Sequence, residues 1–191
     1  MLVHQYQLFL SGDLITLFIF WEIMAITSTI VIWSGSNQSY YPGIRYLAVH
    51  LLGGSILLIG IIGYANTTGT LTFGLMSPDN IFSYFVLAGF LINAGAPPFS
   101  SWIPDAYPSI MVRNSFFVCI HYKTAVYVLI VGYGVKIFLI YVGIFMIFFG
   151  IIFSILENDM RRILSSPHRN QVGFMIVAVG IGTEIAINGQ T

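Results

Sequence analysis

The chain has 191 residues, of which 57% are hydrophobic and only 7% charged, with a mean hydropathy of +0.88. A soluble globular domain carries about 25% charged residues, so this composition excludes one and indicates an all-α integral membrane protein. Its seven basic and seven acidic side chains cancel without forming a basic run, which removes the electrostatic footprint of a nucleic-acid binder.

At about 20 residues per span plus short loops, the chain holds about six transmembrane helices in one transmembrane domain, 1–191. No length remains for a soluble domain that would house a nucleotide or a flavin. A Walker A loop, a dinucleotide glycine fingerprint, CxxC and HExxH are all absent, and the lone Cys119 can supply neither an internal disulfide nor a metal cluster. No cofactor and no metal are therefore expected. The opening MLVHQYQLFLSGD has neither the basic start and small-residue cleavage site of a signal peptide nor the apolar length of a span. Both ends of the chain read as cut.

The first predicted span, Leu14 to Trp33, carries Glu22 near its centre. An acid at that depth costs about 2.5 to 3.5 kcal/mol on insertion scales, and such residues are functional by default. The bland alternative is an acid paired to a neighbouring helix or held protonated by apolar surroundings. Thr29 lies two turns on, along the same face. The second span, Tyr46 to Tyr64, carries His50 beside Gly53 and Gly54, with Ser55, Gly60 and Gly63 completing a small-residue surface for close helix packing. His50 reads equally as a packing histidine and as a proton carrier.

The third span, Ile81 to about Phe99, runs into Asn93-Ala94-Gly95-Ala96-Pro97-Pro98, where two prolines remove backbone donors and break the helix. Broken helices at membrane depth occur where they are buried in protein or line a wet cavity. The fourth, Phe116 to Val135, contains Lys123, a base that can shed its proton on burial as an arginine cannot; the alternative is a lysine snorkelling to an interface. Tyr127 shares its face, and His121, two residues away, points the other way. Ile137 to Leu156 and Gln171 to Ile187 complete the six. Glu184 near the end of the last reads as interfacial.

Trp33, Trp102, Tyr40, Tyr41 and Tyr46 near span ends read as interface anchors, with Trp21 too deep for that role. Loop charge sets orientation. With the N-terminus outside, the inner connections hold Arg45, Arg113, Arg161, Arg162 and Arg169 and the outer ones only Lys136. A membrane-embedded enzyme would need a polar cluster at an interface, and only Asp105 with Tyr107 offers one.

Four stretches, in order, carry a resemblance. They are Gly12-Asp13-Leu14 through Phe20-Trp21-Glu22-Ile23-Met24-Ala25; Ile92-Asn93-Ala94-Gly95-Ala96-Pro97-Pro98 with Trp102-Ile103-Pro104-Asp105-Ala106-Tyr107-Pro108; Lys123-Thr124-Ala125-Val126-Tyr127; and Glu157-Asn158-Asp159 with Arg161-Arg162-Ile163-Leu164, then Asn170-Gln171-Val172-Gly173-Phe174-Met175. Together they resemble the antiporter-like, proton-conducting subunits shared by respiratory complex I, the NADH-quinone oxidoreductase, and the Mrp-type Na+/H+ antiporters, most of all the D-type Mrp subunit.

The resemblance implies a half-channel in which a helix glutamate, matched by Glu22, and lysines on neighbouring helices, one matched by Lys123, relay protons. It implies a partial inverted-repeat fold of five-helix units, other membrane subunits as partners, and a multi-pass place in the cell's inner membrane. The chain would be no enzyme by itself, only a membrane-arm subunit of one. Where many members carry a lysine partner for the glutamate, the alignment places Asn93, and Ser165-Ser166-Pro167-His168-Arg169 stands where a mild polar link is usual. The second repeat, with its own histidine and lysine, is expected after Thr191 and is absent. The chain thus resembles the middle of a longer protein: either one product of a split gene that assembles with a second chain, or a vestigial segment without transport of its own. The expected relay residues are Glu22, Lys123, His50 and Asn93.

Overall fold

The computed structural model describes residues 12–35, 39–76, 79–103, 105, 124–133, 137–159, 163 and 166–182. Among them six helices of eight residues or more follow in order: α1 (Leu14–Trp33), α2 (Tyr40–Thr68), α3 (Ile81–Asn93), α4 (Thr124–Tyr133), α5 (Ile137–Leu156) and α6 (Ser166–Ile181). Helices α1, α2 and α5 are long and apolar enough to cross a membrane. No strand occurs among the described residues; the nearest thing is one isolated bridge between Asp13 and Thr72. The bounds of α1 and α5 coincide with the predicted spans. Helix α2 is longer than predicted at both ends, and α6 begins five residues before the predicted Gln171, with Pro167 in its first turn. A missing N–H costs nothing there, so the segment expected as a link is helical.

Helix α1 starts where Asp13 caps it. Its carboxylate accepts the Thr16 amide at 2.8 Å, and Asp13 itself is extended, as an N-cap requires. That amide holds the Asp13 carboxyl below its ordinary pKa. The contribution is therefore full above about pH 4, the ordinary aspartate range, and fades as pH falls through the lowered folded value. Asp13→Ala is expected to cost about 1 kcal/mol at neutral pH. The two proteins' melting curves in detergent should converge in acid, and a constant gap at all pH values would exclude the cap as its source.

Helix α2 is the axis of the bundle. Its buried positions, Gly43, Tyr46, His50, Gly53, Gly54, Leu57, Gly60, Ile61, Gly63 and Tyr64, recur every three or four residues, so they form one continuous stripe. The glycines in it are close approaches. A β-carbon on Gly60 would lie 2.7 Å from the Val86 backbone nitrogen, and one on Gly89 of α3 would lie 2.9 Å from the Gly53 carbonyl. Gly53 faces Asn93, Gly60 faces Val86 and Gly63 faces Phe82, so α3 runs antiparallel to α2 with backbones nearly touching. Helix α1 lies antiparallel against another part of α2, with Trp33 at Gly43 and Glu22 at Gly54. The small-residue surface expected of the second span is thus used on two sides.

The loop from α2 to α3 ties the bundle at one end. Leu14 donates to Leu71, Phe73 to Gly12 and Met76 to Gly132 through their backbones. The Tyr133 hydroxyl donates to the Ser83 carbonyl at 2.5 Å and fastens α4 to α3. Helices α5 and α6 cross where Gly143 meets Gly173, each glycine standing against the other's carbonyl; a β-carbon on Gly143 would lie 2.7 Å from the Gly173 oxygen.

The break after α3 has a different cause from the one the sequence suggested. The Gly95 amide donates to the Ile92 carbonyl at 3.0 Å and the Ala96 amide to the Leu91 carbonyl at 2.9 Å, with Gly95 at φ +79°. These bonds are a Schellman stop, which needs a left-handed residue and finds it in glycine. The helix ends at Asn93, four residues before Pro97, and the prolines prevent its resumption. At 13 residues α3 reaches about 20 Å, short of the roughly 30 Å hydrocarbon core, and its C-terminal Asn93 packs on Gly53, midway along the membrane-spanning length of α2, which puts that end at membrane depth. A 3-10 turn, Phe99–Ser101, follows, with Trp102 and Ile103 buried after it.

Arg45, counted with the inner loops, lies inside α2 and pairs with Asp105 at the exposed end of the bundle. Asp105 is thereby engaged in an ion pair across the broken segment. Tyr107, Lys136, Arg113, Arg161, Arg162 and Glu184 lie outside the described residues.

Candidate functional site

The polar groups at membrane depth gather where α1 and α3 meet α2. The Glu22 carboxyl lies directly on Gly54, so closely that no β-carbon fits between them. On the adjacent residue, the Asn93 amide would meet a Gly53 β-carbon at 2.5 Å from its oxygen and 3.1 Å from its nitrogen. Two consecutive glycines therefore seat two polar side chains from two other helices. Trp21 and Phe90, beside them in sequence, meet edge to face at 5.2 Å and close the gap between α1 and α3.

His50 stands one turn before this glycine pair. Its Nδ1 lies 2.9 Å from the Tyr46 carbonyl, which can only accept, so Nδ1 carries the proton and the neutral ring keeps Nε2 as an acceptor. The imidazole stacks on the Tyr46 ring at 4.0 Å and meets the Trp102 ring edge to face at 4.9 Å. Tyr46 and Trp102 are completely buried, which corrects their reading as interface anchors: the membrane-interface role fits Tyr40, Tyr41 and Trp33, which are exposed. The physical reason is that α2 begins six residues earlier than predicted, which moves Tyr46 from the helix end to its second turn. The Tyr46 hydroxyl is hydrogen-bonded to Ser28 of α1, whose own hydroxyl donates to Met24 O at 2.8 Å. The sequence reading missed Ser28 and the two aromatic rings. The four-residue spacing of Tyr46 and His50, which puts them on one helix face, was the available signal for the first ring.

Thr29 is buried, with its hydroxyl donating to Ala25 O at 2.9 Å, so it is back-bonded to its own helix. Oε1 of Glu22, both amide atoms of Asn93 and the Ser100 hydroxyl are enclosed and have no hydrogen-bond partner among the described residues. Asn93 is fully buried. The structure thus brings Glu22, His50 and Asn93 to one stretch of α2. Lys123 and His121 lie outside the described residues. The described part of α4 starts at the next residue, Thr124, which is buried. Tyr133 meets Ser83 at one end of α3; Thr124 stands nine residues before the former and Asn93 ten beyond the latter.

Residues 11–191 match the sequence profile of the family described as NADH:quinone oxidoreductase/Mrp antiporter, TM. The D-type subunit of the Na(+)/H(+) antiporter of Alkalihalophilus pseudofirmus is 26% identical over 203 residues, which cover 95% of this chain and 41% of that protein. The M-type subunit of the NADH-quinone oxidoreductase of Pseudomonas aeruginosa is 26% identical over 214 residues, covering 95% and 42%. In solved structures, a chain of the Mrp complex from Dietzia sp. DQ12-45-1b superposes with a TM-score of 0.85 at 25% identity, over 96% of this chain and 38% of that one. A chain of respiratory complex I from Thermus thermophilus gives 0.83 at 18% identity, over 96% and 44%, a likeness of fold. The chain spans less than half the length of the curated relatives it matches.

Proposed function

The chain belongs to the NADH:quinone oxidoreductase/Mrp antiporter transmembrane family, and from that membership we propose that it is a proton- or cation/proton-translocating membrane subunit in which Glu22 is the central proton carrier. The observation that carries the reading is a carboxyl group at membrane depth, seated on Gly54 with one oxygen enclosed and unpartnered among the described residues. A carboxyl so placed takes and gives up a proton more readily than it holds a permanent charge. Asn93 and His50 supply polar neighbours on the same stretch of α2. Lys123, which precedes Thr124 in sequence, is the proposed next station. Relayed transfer between hydrated side chains at mid-membrane would move protons, coupled elsewhere to redox chemistry or to sodium movement.

The proposal extends to an assembly. Other membrane subunits of an antiporter or respiratory complex would flank the chain, and a second chain would supply helices of the inverted repeat. The chain would sit in the cell's inner membrane with its N-terminus outside, on the balance of Arg113, Arg161, Arg162 and Arg169 against Lys136.

Glu22→Gln tests the reading, because it keeps the side chain's shape and removes its proton chemistry. Proton uptake by membrane vesicles carrying the assembled protein should fall about tenfold or more, with the melting temperature little changed. Undiminished uptake would overturn the relay and leave the chain a structural segment.

A further inference from the structure

We propose that the groove between α1 and α2 at Glu22 is the docking site for a transmembrane helix of another chain that carries a lysine or arginine at mid-height. The inference rests on the reading of this chain as a subunit of a membrane assembly, and it names the partner of the central carboxyl.

Glu22 stands at the rim of the α1–α2 contact. Its Oε1 is enclosed on Gly54, yet the residue is only partly buried, so the rest of the side chain opens outward. The neighbours on each helix give the direction. On α1 the residues three before and four after Glu22 are Ile19 and Ile26, each 49% exposed. On α2 the residues three before and four after Gly54 are Leu51 and Leu58, 43% and 37% exposed. Both spacings turn a side chain about 50° the same way around its helix, and in antiparallel helices equal turns lead to the same side of the contact. Three positions after each, Ala25 and Leu57 are fully buried, which marks the other side as the bundle interior. The carboxyl therefore lies on the floor of an outward groove, with two isoleucines on one wall and two leucines on the other.

An ionised carboxyl in this groove needs a cation, and among the described residues none is in reach. The one ion pair there joins Arg45 to Asp105, and Arg45 lies nine residues before Gly54, about 13 Å along α2. Asn93, the polar neighbour on α3, brings no charge. Lipid headgroups are too far away: Glu22 is eight residues from the first residue of α1 and eleven from the last, about 12 and 16 Å. Acyl chains would leave the carboxyl unpaired in hydrocarbon, whereas ionisable groups at this depth pair within protein. An occupant that satisfies its own backbone there is a helix. The apolar walls recur at the three- and four-residue spacings into which a third helix packs, and a lysine or arginine lays its alkyl stem along such walls while its charge reaches the floor.

The test reconstitutes the full chain in liposomes with dansyl-labelled poly-leucine transmembrane peptides whose central residue is lysine, leucine or glutamate. Energy transfer from the chain's three tryptophans reads association. The lysine peptide should bind about tenfold more tightly than the other two, and Glu22→Gln should remove that preference. Glu22→Lys should reverse it in favour of the glutamate peptide. In a Cys119→Ser background, a cysteine one turn from the peptide's lysine should form a disulfide with Ile26→Cys or Leu58→Cys and not with Phe148→Cys, which is 61% exposed on α5. Should the Glu22 variants fail to fold, the ranking of the three peptides on the wild type and the disulfide pattern decide alone. Equal association of the three peptides would overturn the proposal and leave the groove to lipid. A lysine preference that survives Glu22→Gln, or disulfides formed as readily at Phe148→Cys as at Ile26→Cys, would overturn it too. So would a preference appearing only in Lys123→Leu, because Lys123 would then already occupy Glu22. The two readings fail separately: a lysine preference with undiminished proton uptake in Glu22→Gln removes the relay alone, whereas reduced uptake without any preference among the peptides removes the docking site alone.

Discussion

Trp102→Ala is expected to lower the stability of the detergent-solubilised protein by about 3 to 5 kcal/mol, the cost of emptying a large fully packed aromatic site. Trp102 has no exposed surface and lies just past the 3-10 turn, where it meets Tyr46 at 5.0 Å and His50 at 4.9 Å. These two contacts, together with the Arg45–Asp105 ion pair, fasten the broken segment to α2. Removing the ring leaves a cavity beside a histidine whose Nδ1 bonds the Tyr46 carbonyl and whose ring stacks on Tyr46. Trp102→Phe should recover part of the loss because an aromatic edge remains. Equilibrium unfolding of the two variants checks the order, and a loss below about 1 kcal/mol for the alanine variant would mean that the segment is held elsewhere.

The second large effect is expected at Gly60→Leu. A single β-carbon there would already stand 2.7 Å from the Val86 nitrogen and 3.1 Å from the Phe85 carbonyl carbon, and backbone cannot swing aside as a side chain can. Helices α2 and α3 must separate, at a cost of about 3 kcal/mol or more. The consequence reaches the site, because the same contact line seats Asn93 on Gly53 two turns away. Gly60→Leu should therefore weaken the fold and shift Asn93 away from its seat on Gly53. Gly74→Ala is the control, with nothing within 4 Å of its β-carbon, and should stay within about 0.5 kcal/mol of the wild type. Comparable losses at both positions would indicate that glycine flexibility, not helix approach, is what matters.

Much of the architecture was legible in the sequence because a bilayer imposes a simple rule: each crossing needs about 20 apolar residues with its backbone bonds satisfied internally. That rule located α1 and α5 to the residue. It located the start of α3 and the presence of a break near Asn93, but not the mechanism of the break. Two prolines are conspicuous, yet the helix is ended by Gly95, whose left-handed conformation is visible only once the chain is folded. Similarly, periodic small residues announced that α2 packs closely, while its two partners and their register came from the structure.

For the site, the sequence alone singled out Glu22 and His50, since a titratable group in an apolar run is conspicuous by its solvation cost. Asn93 was found as a departure from a resembled pattern. That Glu22 and Asn93 rest on neighbouring glycines, that Tyr46 and Trp102 enclose His50 instead of facing the lipid interface, and that Arg45 pairs its charge with Asp105 were decided by tertiary structure. The physical reason is that hydropathy is a property of each residue and can be summed along a chain, whereas these contacts, Tyr46 on His50 apart, join residues 32 to 60 positions apart. Only helix packing, set by where glycines let backbones approach, brings such residues together.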